Sequence, residues 1–395
     1  MVDIKKNINR ALICVDTLIS NKLKKICSDN KNVIIVFQQI FGDSILLQSC
    51  LNSYVNLFPE SAGYKIKLLV RPSVHKFMKA TFSIPEEIEF EDVDFKRFLE
   101  DYKYYRQIVT KYRDTASTII VPGTSLSAEV FSTANNANRK VGLVRCFDIT
   151  YPFIFAMFYK LAYTERIKPE KNDMMLQRHR LLLNYLGDKE YKAKLPVAIN
   201  QERIIQEDRY IVMCPGASKM EKCWPIDRFA KVADYLINTY DLKIHLCGGA
   251  DEKHFEEEFI VSVKNKDKII SHIGNTTFTD WSSIIEYADL VIGNDSATIH
   301  LAAAHCVKAI CIAGVYDKFQ FFPYKVDELD EGNRLPITVI KDMPCEYCRT
   351  IGYDAGFGNP ECQERIRANK SVLCIEKITV EEVIEEIDKL MKETV

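Results

Sequence analysis

The stretch DLVIGNDSATIHLAAA, from Asp289 to Ala304, constrains what this chain can fold into more tightly than any other. Leu290, Val291 and Ile292 form a short apolar run closed by Gly293, the pattern of a buried strand. From Thr298 onward Ile299, Ala302, Ala303 and Cys306 recur at helical spacing. The stretch therefore reads as strand, tight turn, helix. Its turn holds Asn294, Asp295 and Ser296, residues that accept a helix-start conformation and whose oxygens cap free amides. Such a helix start presents unpaired N–H groups and the positive end of the macrodipole, which suits a phosphate. His300 follows within about a turn of that start, beside the same anion. The plainer reading of these residues is a capped helix in an α/β core with a hydrogen-bonded histidine.

A chain of 395 residues exceeds what one hydrophobic core usually supports, so two domains are expected. The net charge of -2 argues against a global field for polyanions, and no nucleic-acid partner is expected. Thirteen cysteines without a recognisable signal peptide point to a reducing cytoplasm. No apolar run approaches the roughly 20 residues of a membrane-spanning helix.

Taken in order, the chain begins with an amphipathic helical prefix over Val2–Asn30. Leu12, Ile13, Val15, Leu18 and Ile19 lie on one side and Lys22, Lys24 and Lys25 at its end. It packs on its own domain or lies on an anionic membrane surface. Val33–Phe37 is the first strand, and after the loop Gln38–Gly42 a helix starts near Asp43. Further strands are expected at Lys65–Val70, Thr118–Val121 and Lys140–Leu143, with a solvent-facing helix over Lys96–Tyr112 and an aromatic one over Tyr151–Tyr163. The charged stretch Glu165–Asp173, broken by Pro169, marks the domain joint, bridged by a helix over Met174–Leu186. From Tyr210 strands and helices alternate regularly, which implies a parallel sheet with right-handed crossovers.

The turn Asp295-Ser296-Ala297-Thr298-Ile299-His300 resembles the D-S-G-x-x-H signature of the family 9 glycosyltransferases, the heptosyltransferases of the lipopolysaccharide core. Ala297 stands where that family usually has glycine. Three further blocks resemble it: PGASKMEKCWPIDRFAKVADYL (Pro215–Leu236), LCGGADE (Leu246–Glu252) and, more weakly, GDSILLQSCLNSYVNLFP (Gly42–Pro59). The resemblance implies an α/β fold of GT-B type, two Rossmann-like domains facing across a cleft. The expected divisions are an acceptor-binding domain over residues 1–170, an interdomain helix and linker over 171–195, a nucleotide-sugar domain over 196–378, and a helix over 379–395 returning to the first domain.

It also implies roles. Asp43, after Gly42 at the end of the first strand, is the expected general base, against the alternative of ordinary helix capping. Lys222 is the expected phosphate lysine, a point charge at a strand-to-helix turn, with the Ser218 hydroxyl beside it. Asp251 is expected on the ribose hydroxyls, with Glu252 adjacent as the alternative, and Asp295, Ser296, Ala297, Thr298 and His300 complete the donor site. Neither G-x-G-x-x-G after the first strand nor G-x-x-x-x-G-K-[ST] is present, so dehydrogenase and P-loop readings lose their main support.

Cys345, Cys348, Cys362 and Cys374, in a glycine-rich segment, are spaced as a candidate structural zinc site or as reduced thiols. No cofactor is expected for catalysis. The implied function is inverting transfer of a sugar, heptose from ADP-heptose above others, to a lipid-linked oligosaccharide acceptor at the inner face of the plasma membrane. The alternatives are a relative using another nucleotide sugar and a non-catalytic glycan-binding protein.

Overall fold

Runs such as VIIV and YIVMC carry no polar residue on either side, so they can be satisfied only inside a sheet covered on both faces, the condition of parallel sheets. In the computed structural model, which describes residues 4–23, 30–144, 157–158, 160–318, 320–345 and 359–392, they lie at the centres of two such sheets. The first contains β1 (Asn32–Val36), β2 (Lys65–Val70), β3 (Ile88–Asp92), β4 (Thr118–Val121), β5 (Arg139–Leu143) and β6 (Glu165–Ile167), in the order β3-β2-β1-β4-β5-β6. The second contains β7 (Tyr210–Cys214), β8 (Lys243–Leu246), β9 (Ile269–Ser271), β10 (Leu290–Asn294), β11 (Ala309–Ala313) and β12 (Ile337–Ile340), in the order β12-β11-β10-β7-β8-β9. The two orders are the same once each sheet is counted from its own first strand, and all pairs are parallel. In each, the order reverses between the first and fourth strands, where the outgoing loops diverge and a ligand crevice opens at the carboxyl ends.

The strands missed in the sequence are at or near the edges. β3 (IEFED) and β6 (ERI) read as charged stretches because edge strands tolerate charge, and their carboxylates pair with neighbouring strands: Glu89 and Glu91 with Lys67, Glu165 with Arg139. The segment Lys96–Tyr112, expected as one solvent-facing helix, is two, Phe95–Glu100 and Tyr102–Tyr112. Asp94 caps the first and Asp101 the second, so the chain turns at Asp101 and buries Phe95, Phe98, Tyr105, Ile108 and Tyr112. Two helices also replace one after β1: α2 (Phe41–Gln48) and a second over Leu51–Leu57.

The prefix helix, α1, spans Ile4–Lys22. Of the expected apolar side, Ile13 is buried beside Thr17 and Ser20 and Leu18 packs partly buried on the core, while Leu12, Val15 and Ile19 are exposed. Lys24 and Lys25 lie outside the described residues, as do Tyr151–Ala156 of the aromatic segment, whose Phe158 is buried.

Two compact units follow the two sheets: Met1–Lys79 with Ser83–Ala193, and Ala80–Phe82 with Lys194–Val395. The helix Met175–Leu186, expected in a linker, belongs to the first unit, where Leu176, Leu182 and Leu183 are buried. The last helix, Val380–Lys392, expected to return to the first domain, packs on the second unit instead. Val383, Ile387 and Leu390 join the core around Trp224 and Phe229, Asp388 accepts from the Tyr235 and Tyr240 hydroxyls, and Lys308 donates to the Leu390 carbonyl. A helix with so strong an apolar face settles on the nearest exposed apolar surface in its own unit.

Candidate functional site

In the second unit the reversal point lies between β7 and β10, and Asn294, the last residue of β10, holds its two turns together. Its fully buried side chain donates to the Pro215 carbonyl (2.6 Å) and accepts from the Trp224 amide (2.9 Å). The Trp224 indole N–H in turn donates to the Ile378 carbonyl (2.9 Å). The sequence suggested that Asn294, Asp295 and Ser296 would cap the following helix. They do not: Asn294 spans to the β7 turn, Asp295 pairs with Lys222 (3.3 Å), and Ser296 occupies the N-cap position in extended conformation without a side-chain cap hydrogen bond.

What results is a helix, Ala297–Ala304, whose first amides receive no side-chain cap. The Ser296 Oγ at its head is buried without a hydrogen-bond partner among the described residues. Lys222 stands on one side, its Nζ 5.5 Å from the centre of the Tyr316 ring, in a side chain 14% exposed against 11% for Asp295. Positive dipole end, hydroxyl and ammonium are the kinds of group that attract an anion. Ala297 is half-buried and Thr298 buried in the first turn, and Ser218 is exposed in the β7 turn. His300, in the same first turn, faces inward. It is buried, stacked on Phe322 (centroids 4.9 Å) with Nδ1 2.5 Å from the Tyr324 hydroxyl, and burial pushes its pKa down to about 4. It is thus a neutral wedge beneath the helix.

The turn after β8 places its two acidic residues differently. Asp251 is exposed, whereas Glu252 turns back toward the β7 turn, its carboxylate accepting from the Gly249 amide (2.9 Å). A side chain at Gly216 or Gly248 would collide with that carboxylate. Two glycines from separate turns therefore make room for it, and burial raises its pKa. Their presence near a G-x-x-E spacing was the signal available in the sequence.

In the first unit the corresponding point lies between β1 and β4. Asp43 is half-buried in the first turn of α2, at the third helical residue, and the N-cap position belongs to Ile40. Gln39, in the loop before it, lies over Gly123 of the β4 turn, where any side chain would strike it. Gln38 is fastened on both sides: its carbonyl accepts from Arg71 Nε (2.5 Å), and its Oε1 meets the Ser127 hydroxyl.

Among the cysteines, Cys362 and Cys374 are buried in the second unit's core, Cys345 is half-buried and Cys348 lies outside the described residues. Among the described residues no three His, Cys, Asp or Glu are placed to hold a metal.

The model of glycosyltransferase family 9 (heptosyltransferase) matches residues 105–338. Lipopolysaccharide heptosyltransferase 3 of Escherichia coli (strain K12) is 34% identical over 119 residues, 30% of this chain and 34% of that protein. Lipooligosaccharide heptosyltransferase 2 of Campylobacter jejuni subsp. jejuni is 25% identical over 206 residues, 52% of this chain and 58% of that protein. The chain thus matches between a third and somewhat over half the length of these relatives. The solved structure of E. coli ADP-heptose LPS heptosyltransferase II superposes with a TM-score of 0.63 at 16% identity, covering 92% of this chain and 100% of that one. At that identity it speaks for the fold, GT-B, built from two Rossmann-like units.

Burial also gives the molecule an acid sensitivity. His179, His245, His300 and His305 each have a folded-state pKa of about 4, below the unfolded value of about 6.5. Their contribution is complete above pH ~6.5 and is lost as pH falls toward about 4, at roughly 1.4 kcal/mol per pH unit for each proton taken up on unfolding. Glu252 and Glu286, raised by burial, act oppositely, within the carboxylate range. Urea midpoints should therefore drop between pH 7 and 5, and His300→Gln should reduce that drop by about one proton's share. An identical pH dependence in the variant would show that His300 is charged in the folded protein.

Proposed function

The chain belongs to glycosyltransferase family 9, the heptosyltransferase family, and from that premise we propose that it transfers heptose from ADP-heptose, with inversion, to a lipid-linked core oligosaccharide of lipopolysaccharide at the cytoplasmic face of the membrane. The observation that carries the reading is the uncapped start of Ala297–Ala304, with the buried Ser296 hydroxyl and the Asp295-held ammonium of Lys222 beside it. A departing diphosphate needs these groups. The β-phosphate takes the amides of Ala297 and Thr298, the Ser296 hydroxyl and Lys222, with Ser218 adding a hydroxyl from the β7 turn. Glu252 accepts from the ribose diol, in place of the exposed Asp251.

The chemical step is one displacement. An acceptor oxygen forms its bond to the anomeric carbon as Asp43 takes its proton, and the bond from that carbon to the β-phosphate oxygen breaks, leaving ADP. Lys222 and the helix dipole supply the charge stabilisation, so no metal is required for the step. Asp43 suits the role because it is partly exposed, at a strand's carboxyl end, and not engaged as the N-cap residue.

Lys222→Ala is expected to weaken ADP binding by roughly 1.5 to 3 kcal/mol, read by titration calorimetry; unchanged affinity removes Lys222 from the donor site. For Asp43→Asn, turnover with ADP-heptose and core glycolipid should fall roughly 10² to 10⁴-fold while ADP affinity stays within about twofold. Wild-type turnover in that variant assigns the base elsewhere, and a wild type that binds ADP-heptose yet transfers to no acceptor is a binding protein. One structural zinc on Cys345, Cys348, Cys362 and Cys374 is also proposed, carried by their spacing alone. Elemental analysis of protein purified without added metal tests it: the expected result is one zinc per chain, and a folded, metal-free sample overturns it.

A further inference from the structure

Three strand ends of the second unit meet around one ammonium. Lys222 reaches in from the turn after β7 and Asp295 from the end of β10, their charged atoms 3.3 Å apart. The third contribution comes from β11, the other neighbour of β10, which ends in the short turn Val315–Asp317. That turn sets the Tyr316 ring beneath Lys222, its centre 5.5 Å from Nζ. The ring is fixed by packing, since Tyr316 is 1% exposed and belongs to the same apolar core as Trp224 and Phe229. Gly314, two residues earlier, has no room for a side chain: a Cβ there would overlap the edge of the ring and crowd Cys374 Sγ (2.9 Å). Its backbone is ordinary extended chain (φ -91°), so glycine is needed there for space and not for conformation.

A lysine ammonium is a compact charge on a flexible stem, and the Lys222 side chain, 14% exposed, has lost most of its water. A carboxylate can hold such a group, but it also cancels the charge that a phosphate needs. An aromatic face attracts the ammonium through the ring quadrupole, adding no negative charge and occupying no N–H. We propose that Tyr316 is a positioning residue of the donor site, holding the Lys222 ammonium beside the head of the helix Ala297–Ala304 before the nucleotide arrives, with Gly314 reserving the space for its ring. This rests on the reading of Lys222 as a ligand of the departing diphosphate. An ammonium already in place has less freedom to lose when the ligand binds, so the ring raises affinity without touching the nucleotide.

The test is ADP affinity, by titration calorimetry, in a series that keeps the ring's shape while weakening its quadrupole: Tyr316→Phe, then replacement of Tyr316 by phenylalanines with one, two and three ring fluorines. Tyr316→Phe is expected to bind ADP within about twofold of the wild type, and affinity should fall with each fluorine, by about threefold to thirtyfold over the series. In a Lys222→Ala background the same series should be flat. Gly314→Ala, which pushes the ring aside, should also weaken ADP binding, and lose that effect once Lys222 is alanine. Equal affinity across the fluorinated series overturns the proposal. So does an equal fall with Lys222 absent, which would make the ring a matter of packing, or a loss at Tyr316→Phe as large as that of the last fluorinated variant, which would give the effect to the hydroxyl. Each of these leaves the donor-site reading intact provided that Lys222→Ala alone weakens ADP binding. Unchanged ADP affinity in Lys222→Ala overturns that reading and this proposal with it.

Discussion

The candidate donor site depends on one buried amide. Asn294 sits where two turns of the second sheet diverge, and with no solvent to satisfy it, its side chain must find protein partners for donor and acceptor alike. It finds them across the crevice, on the Pro215 carbonyl and the Trp224 amide. Leaving either backbone group orphaned in the interior would cost about 1 to 3 kcal/mol, so the turns are held in one relation. Because Asn294 is spent on this bridge and Asp295 on Lys222, neither caps the next helix, and its amides stay available to an anion. The same bonds that stabilise the crevice therefore leave its mouth chemically open.

Both sheets obey the same geometric rule, with unlike contents. At the reversal point of the second, ammonium, hydroxyl and helix amides converge, an arrangement for negative charge. At that of the first, Gln38 and Gln39 are locked to the β2 and β4 ends, and the carboxylate of Asp43 follows in the first helical turn. The repeated scaffold thus carries an ammonium in one loop set and a carboxylate in the other. Helix α1 is an addition to this scaffold, tied to it by Thr17 and Tyr105 on one face and left apolar on the other.

Much of this was legible before any coordinates. Strand, turn and helix at Asp289–Ala304 and the parallel second sheet follow from local pattern, because continuous apolar runs can only be central strands and because turn residues mark where they end, while the grouping of Lys222 with Asp295 and Ser296 came from the family resemblance. What local pattern misread were the sheet edges and the helix faces. Charged β3 and β6 look like loops until a neighbouring strand supplies Lys67 and Arg139. In α1 the apolar positions run around much of the helix, and only packing against the first unit decides that Ile13 goes in and Leu12 stays out.

The sequence by itself determined two α/β units and the strand, turn and helix at Asp289–Ala304, since these rest on periodicity and on residue chemistry within a few positions of one another. Tertiary structure decided which side chains carry the charge and where. Glu252 rather than Asp251 enters the crevice because Gly216, distant in the chain, leaves it space. His300 becomes a neutral wedge because Phe322 and Tyr324 fold over it. The last helix stays with the second unit because Trp224, Phe229 and the tyrosines at 235 and 240 meet it there. The physical reason is common to all three: burial and hydrogen-bond satisfaction are properties of a place in space, and residues far apart in the chain must be assembled before that place exists.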